Sequence, residues 1–348
     1  SDNSISQPSV AFDGTNYLVV FVKGANIQGI RVSPNGTLPD GPGGFVIASG
    51  VLFSISNTSP AVAFNGENFL VAWRKYVPVA GGGTWNIYGA RVTPTGQATG
   101  EAPISAEQHA PTELGYAMEV GSPSVTCDGT NCLVAWSKVR TGPGSSVYSA
   151  NFAPYFDVYG ARINSQGTVL DLQGVLISTS GPFNQSPGAE NVQVAFDGAN
   201  YLAVWRKTLA TGFDPPSAEI RGARISVAGT LLDAPPSGGG IGINTIVLGK
   251  SEPAVAFDGT NYLVAWVVGA FSNNPPVGMF GTIVSPDGQV VEGSPASIGT
   301  SLSDQLPPST RLRFPVAVSN GTSVLLTWLN NIELFGQTKS IEASLIFP

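Results

Sequence analysis

The chain has 348 residues, of which only 11% are charged, while Gly 43 and Pro 27 together make up a fifth of it. A net charge of −7 excludes the uniformly basic footprint of a nucleic-acid binder, and no apolar run reaches the roughly 18 residues of a membrane-spanning helix. Abundant Val, Ala, Thr, Ser and Gly, with few Lys and Glu, mark an all-β, turn-rich chain.

Taken in order, the first predicted element is a hairpin, PSVAFDGTNYLVVF (Pro8 to Phe21), two apolar runs flanking a tight turn. It recurs as PAVAFNGENFLVAW (Pro60 to Trp73), PSVTCDGTNCLVAW (Pro123 to Trp136), VQVAFDGANYLAVW (Val192 to Trp205), PAVAFDGTNYLVAW (Pro253 to Trp266) and PVAVSNGTSVLLTW (Pro315 to Trp328). A third strand follows each hairpin: NIQGIRVSP from Asn26, NIYGARVTP from Asn86, DVYGARINS from Asp157, EIRGARISV from Glu219, GMFGTIVSP from Gly278 and SIEASLIFP from Ser340. After a Gly-containing turn, fourth strands are expected at Phe45–Ser49, Ala102–Ser105, Gly174–Ser178, Thr245–Leu248 and Ala296–Ile298.

Four antiparallel strands per unit, repeating every 52 to 69 residues between turn Asp/Asn positions, are the mark of β-propeller blades. The expected fold is a six-bladed propeller forming one domain over 1–348. Its blades fall near 8–49, 60–105, 123–178, 192–248, 253–298 and 315–348. The sixth repeat stops after its third strand. Residues 1–7 are expected to supply the missing strand and close the ring, removing open sheet edges. Small first-strand residues (Ala61, Ala63, Ser124, Thr126, Ala254, Ala256) suit strands that converge on an axis; Gln193, Val316 and Val318 are larger exceptions.

Cys127 and Cys132 replace the aromatic pair that flanks the turn in sibling repeats. Facing positions of a hairpin lie within disulfide range, so a disulfide and an oxidising compartment are expected. The chain opens on Ser1 without an initiator Met and reads as processed or trimmed. Four Asn-x-Ser/Thr sequons, at Asn35, Asn57, Asn184 and Asn320, are of the number chance supplies in such a composition.

Strand direction puts the DGTN-type and SPxG-type turns on one face, short and uniform. The second-to-third-strand and inter-blade connections fall on the other. They are long and all different: Tyr76–Trp85, Ser105–Ser122, Val139–Phe156, Ser178–Asn191, Thr208–Ala218, Asp233–Ser251, Val268–Val277 and Glu292–Phe314. Divergent loops on a rigid scaffold are where binding sits, so function is assigned to that face.

Lys23, Lys75, Lys138 and Lys207 each lie two residues after the aromatic that ends a second strand, with Arg74, Arg140 and Arg206 nearby. One reading is a basic ring for an anionic ligand. The preferred one is strand-end cations that bury their stems and solvate the rim. Arg31, Arg91, Arg162 and Arg224 share one position in four repeats, which argues for an architectural bond to a neighbouring strand or carboxylate. The turn residues Asp13, Asp128, Asp197 and Asp258 read as turn formers, without the spacing of a calcium loop.

The single histidine, His109, lies near Glu107, Glu113, Tyr116 and Glu119. An acid/base or metal role is the sharp reading, and a surface residue the preferred one. Tyr148, Phe152 and Tyr155, with Phe156, Tyr159, Trp85, Phe183, Phe213 and Phe271, could stack on sugar rings or anchor a protein; equally, Tyr148, Phe152 and Tyr155 could fold their loop down, and for Tyr159, which lies in the third strand, packing onto the fold is the preferred reading. No metal or cofactor site is expected.

The FDGTNYLVxW and GARVxPxG repeats, together spanning almost the whole chain, resemble tandem repeats of secreted or surface-attached bacterial β-propeller proteins. That resemblance implies the fold and an extracellular location, and carries over no catalytic residue. The Ser-x-Asp-x-Gly-x-Thr-Trp boxes of sialidase-like propellers are absent from the sequence. The leading functional expectation is an extracellular binding or scaffold module for a protein partner or surface polysaccharide. A carbohydrate hydrolase or lyase using residues such as Glu107, His109, Tyr116, Asp157, Asp214 and Glu219 is the alternative. A subunit of a larger surface assembly is another.

Overall fold

Every hairpin turn is built the same way. The Asp13 Oδ1 accepts hydrogen bonds from the Thr15 and Asn16 N–H groups at 2.7 and 2.6 Å. Asn65, Asp128, Asp197, Asp258 and Asn320 each repeat this on the residues two and three positions ahead. The side chain thus satisfies donors that the reversal would leave orphaned. The next residue in each turn is Gly at φ between +90° and +100°, a region that costs other residues strain.

The computed structural model describes residues 8–50, 59–79, 82–105, 120–140, 155–179, 189–208, 218–233, 239–248, 250–268, 278–291, 300–301, 310–332 and 338–346. These residues form an all-β fold of antiparallel sheets. The first sheet holds β1 (Ser9–Phe12), β2 (Tyr17–Lys23), β3 (Asn26–Val32) and β4 (Phe45–Ser49) in sequential order. The second holds β5 (Ala61–Phe64), β6 (Phe69–Val79), β7 (Gly82–Val92) and β8 (Ala102–Pro103). The third holds β9 (Ser124–Cys127), β10 (Asn131–Arg140), β11 (Tyr155–Asn164) and β12 (Val175–Ser178).

The fourth sheet comprises β13 (Ala189–Phe196), β14 (Asn200–Thr208), β15 (Ala218–Ser226) and β16 (Ile241–Leu248). The fifth comprises β17 (Lys250–Phe257), β18 (Tyr262–Val268), β19 (Gly278–Val284) and β20 (Thr300–Ser301). The sixth has three described strands, β21 (Thr310–Ser319), β22 (Val324–Ile332) and β23 (Thr338–Ile346). Residues 1–7, expected as its fourth strand, lie outside the described residues.

The chain divides into two compact units, residues 1–152 with 159–175, and residues 153–158 with 176–348. Within the first unit β1 lies beside β5 and β5 beside β9; within the second, β13 lies beside β17 and β17 beside β21. Sheets therefore pack face to face with their first strands adjacent. Leu18, Val20 and Val22 of β2 pack on Val71 and Trp73 of the second sheet. In the same way Tyr262, Val264 and Trp266 of β18 pack on Leu202, Val204 and Ile220 of the fourth. The opposite face of β18, through Ala265 and Val267, meets Leu326 and Trp328 of the sixth. All seven residues of β18 are buried, as continuous apolar runs require. Strand β2, which has a sheet of its unit on one face only, alternates instead.

The turns also nest. A Cβ on Gly66 would lie 3.1 Å from the Gly129 carbonyl, and one on Gly259 only 2.2 Å from that of Gly321. Cys127 and Cys132 face each other in register and form a disulfide, as expected. Sibling repeats hold ring pairs there instead: Phe196 and Tyr201, and likewise Phe257 and Tyr262, have centroids 5.1 Å apart.

Two local expectations change. Tyr76–Trp85 is not a loop: β6 and β7 continue through it in register, from Tyr76↔Trp85 to Val79↔Gly82. The Tyr76 and Trp85 rings meet edge-on at 5.4 Å, a cross-strand pair that extends the ladder. The fourth strand of the fourth sheet starts at Ile241 rather than Thr245, because Gly222 pairs with Ile241. In the fifth sheet, residues 296–298 lie outside the described residues, and the strand on β19 is Thr300–Ser301.

Candidate functional site

Four of the cations at the ends of the second strands stand beside aromatic or charged neighbours. The Arg74 guanidinium lies 4.2 Å from the Trp85 ring centroid, and Trp85 is itself buried. Lys75 forms an ion pair with Glu101, and its Nζ lies 5.0 Å from the Tyr88 ring centroid. The Lys138 Nζ sits 5.2 Å from the Tyr159 ring, which stacks on Trp136. In the second unit Lys207 pairs across the sheet with Glu219, which accepts from Arg221 Nε at 2.8 Å. Burial first, and the Arg221 charge second, outweigh Glu219 and hold the Lys207 ammonium below its ordinary pKa. Lys23 is exposed at the end of β2, and Arg206 is half-buried on β14. Arg74, Lys75, Lys138 and Lys207 thus stand in cation–aromatic or charged clusters, each local to its sheet.

His109, Tyr116, Tyr148 and Phe152 lie outside the described residues, as do Glu107 and Asp214; Tyr155 begins β11. Asp157 and Glu219, in corresponding positions of β11 and β15, are buried at 3% and 9% exposure. Among the described residues, no group of three or more His, Cys, Asp or Glu could hold a metal ion.

A second polar system sits at the other end of the sheets. Arg31 donates through Nε and Nη2 to Asp40, with Nη2 to Oδ1 at 2.6 Å, and its backbone N–H donates to the same carboxylate at 2.8 Å. Its Nη1 reaches the Pro94 carbonyl in the second sheet at 2.9 Å. Arg224 grips Asp233 in the same way and reaches the Pro286 carbonyl at 3.1 Å. Arg162 grips Asp171. Burial opposes ionisation of Asp40 and Asp171. The hydrogen bonds and charge of Arg31 and Arg162 outweigh it and hold both carboxyls below the ordinary carboxylate range.

The architectural role expected of these arginines is met, and their partners are aspartates that the sequence pattern also carries. The signal was present: Asp40, Asp171 and Asp233 each follow their Arg by nine residues. In the second repeat the same count from Arg91 arrives at Gly100. There, a cavity of about 260 Å³ opens between the second and third sheets, lined by Arg91 and Gly100 among others.

No family model matches the chain, and no curated protein matches it. Among solved structures, a subtype N10 neuraminidase-like protein of A/little yellow-shouldered bat/Guatemala/060/2010 is 14% identical; the match covers 98% of this chain and 94% of that one, with a TM-score of 0.49. The Penicillium chrysogenum alpha-L-arabinanase complexed with arabinobiose is 12% identical over 99% of this chain and 93% of that one, at a TM-score of 0.47. A Bacillus subtilis arabinanase is 12% identical over 82% of this chain and 92% of that one, at 0.37. These are remote likenesses.

Proposed function

We propose that this chain is a six-bladed β-propeller, closed by residues 1–7 beside β23, that works outside the cell as a polysaccharide-binding module. Recognition lies on the face of the second-to-third-strand connections. The supporting observation is the rim of cation–aromatic pairs at the base of those connections: Arg74 with Trp85, Lys75 with Tyr88, and Lys138 with Tyr159. The rings, buried Trp85 among them, fix where the cations stand, and cations held there can donate to sugar hydroxyls and acidic groups. The Cys127–Cys132 disulfide supports an oxidising location.

A glycan array probed with the full chain, followed by calorimetry on Arg74→Ala and Lys138→Ala, tests this reading. Binding that drops severalfold in both variants supports it. A chain that retains no glycan and captures only a protein partner sinks it.

A second reading, a carbohydrate-active enzyme, is favoured by the buried carboxylates Asp157 and Glu219. Reducing-end release from the bound glycan, abolished in Asp157→Asn or Glu219→Gln, would select it over simple binding.

A further inference from the structure

The Arg91 cavity lies where the other repeats place a partner for their arginine. We propose that it takes the carboxylate of a uronic acid residue in an acidic glycan. The proposal does not rest on the reading above, since it concerns the opposite face, that of the uniform turns.

The guanidinium is held in a defined pose. Arg91 Nη1 donates to the Ser165 carbonyl of the third sheet at 3.0 Å, as Arg31 donates to Pro94 and Arg224 to Pro286. A turn glycine caps each head: a Cβ on Gly96, Gly167 or Gly288 would lie 3.1, 3.1 or 3.0 Å from the Nε of Arg31, Arg91 or Arg224. In the first and fourth sheets the Nε–Nη2 edge of a guanidinium held this way grips an aspartate. Among the described residues no carboxylate meets Arg91. Gly100 stands where the aspartate would be, and the next residue, Glu101, is paired with Lys75. Among the described residues, the edge that accepts a carboxylate is therefore fixed in place by the fold and has no carboxylate of its own, as a ligand site requires.

A second substitution enlarges the opening. Gly29 pairs with Phe45, whose ring would lie 2.9 Å from a Cβ there, and Gly222 pairs with Ile241. In the second sheet the corresponding Gly89 pairs with Ala102. The bulk that fills this place elsewhere is reduced to a methyl group. The cavity so formed has apolar walls from Leu70, Ile163 and Val169, with Arg91 at one side and exposed Gly100 at the mouth.

These features select the ligand. The volume, about 260 Å³, is more than an aspartate side chain fills, and falls below the roughly 300–1,000 Å³ of sites for drug-sized molecules. One ring fits and a chain does not. A carboxylate on a ring with an apolar C–H face matches a cation flanked by aliphatic walls. A uronate has that form, with hydroxyls and glycosidic bonds left to point through the mouth.

The test is calorimetric titration of the full chain with an oligogalacturonate, a neutral galactan oligomer and an oligoglutamate peptide. Gly100→Asp supplies the internal carboxylate, since a Cβ there meets nothing within 4 Å. Gly100→Ala is the control without the charge. The expected result is uronate binding by the parent and Gly100→Ala, at least tenfold weaker binding by Arg91→Gln, and none by Gly100→Asp, which also melts above Gly100→Ala. Neutral-glycan binding at the other face would persist in Gly100→Asp, which separates failure here from failure of the polysaccharide-binding reading. Absence of uronate binding by the parent overturns the proposal. So does undiminished binding by Gly100→Asp, and so does equal binding of the oligoglutamate.

Discussion

Arg31 and Asp40 stand nine residues apart and meet in a two-pronged bond, Nη2 to Oδ1 at 2.6 Å, while the same arginine reaches Pro94 in the next sheet. The pair ties the end of one third strand to its own loop and to the following repeat at once. Both side chains are largely covered, at 16% and 11% exposure, so solvent screens the bond little.

Removing the carboxylate should therefore be costly. Asp40→Ala or Asp171→Ala is expected to lower stability by about 1.5–3 kcal/mol, the range for hydrogen bonds to charged groups. Urea denaturation midpoints measure this. A change under about 0.5 kcal/mol, typical of exposed surface positions, would show that the pair does not hold the loop.

The same pairs set an acid limit. The folded pKa of Asp40 and Asp171 lies below the ordinary 3.8. The unfolded chain therefore takes up these protons first as pH falls. The stabilisation is fully present above about pH 4 and is lost as pH drops from there through the depressed folded values. Asp40→Asn should flatten the melting-temperature profile in that window and leave its shape near neutrality unchanged. An identical acid slope in parent and variant would refute the assignment.

Two turn glycines separate conformational cost from inter-sheet contact. Gly14 sits at φ +93° with open space around its Cβ position, whereas Gly259, at φ +100°, approaches the Gly321 carbonyl. Gly14→Ala should cost about 1–3 kcal/mol for its left-handed backbone alone. Gly259→Ala should cost clearly more, because the neighbouring turn must also move. Equal losses would mean that turn nesting contributes nothing.

The disulfide closes a short loop, Cys127 to Cys132 being five residues apart. Loop-closure entropy for so small a ring is about 2 kcal/mol, the low end for disulfides. Cys127→Ser with Cys132→Ser, or reductant on the parent, should lower the unfolding free energy by that amount and leave a folded protein. Complete unfolding on reduction would point to a larger role than chain entropy allows.

The features visible in the sequence are the local ones. Asp13 and its counterparts bond to residues two and three positions ahead, so the side chain carries its own partner, and six copies make the pattern unmistakable. Cys127 and Cys132 face each other because a tight turn leaves no other register. The extension of β6 and β7 through Tyr76 and Trp85 was missed, since glycines and Pro78 read as loop residues until cross-strand ring packing outweighs them.

By itself, the sequence determined the six repeated hairpins, their turns, the disulfide and an architectural role for the arginines, because each follows from contacts a few residues long or from repetition. Only the tertiary structure decided what those arginines hold. The acceptor of Arg91 is a carbonyl 74 residues away, brought within reach by sheet packing. Gly100 and Ala102 look like ordinary small residues in a turn. Their consequence, a cavity beside a fixed guanidinium, exists only where two sheets meet, because a cavity is a property of the atoms that surround it rather than of the chain that lines it.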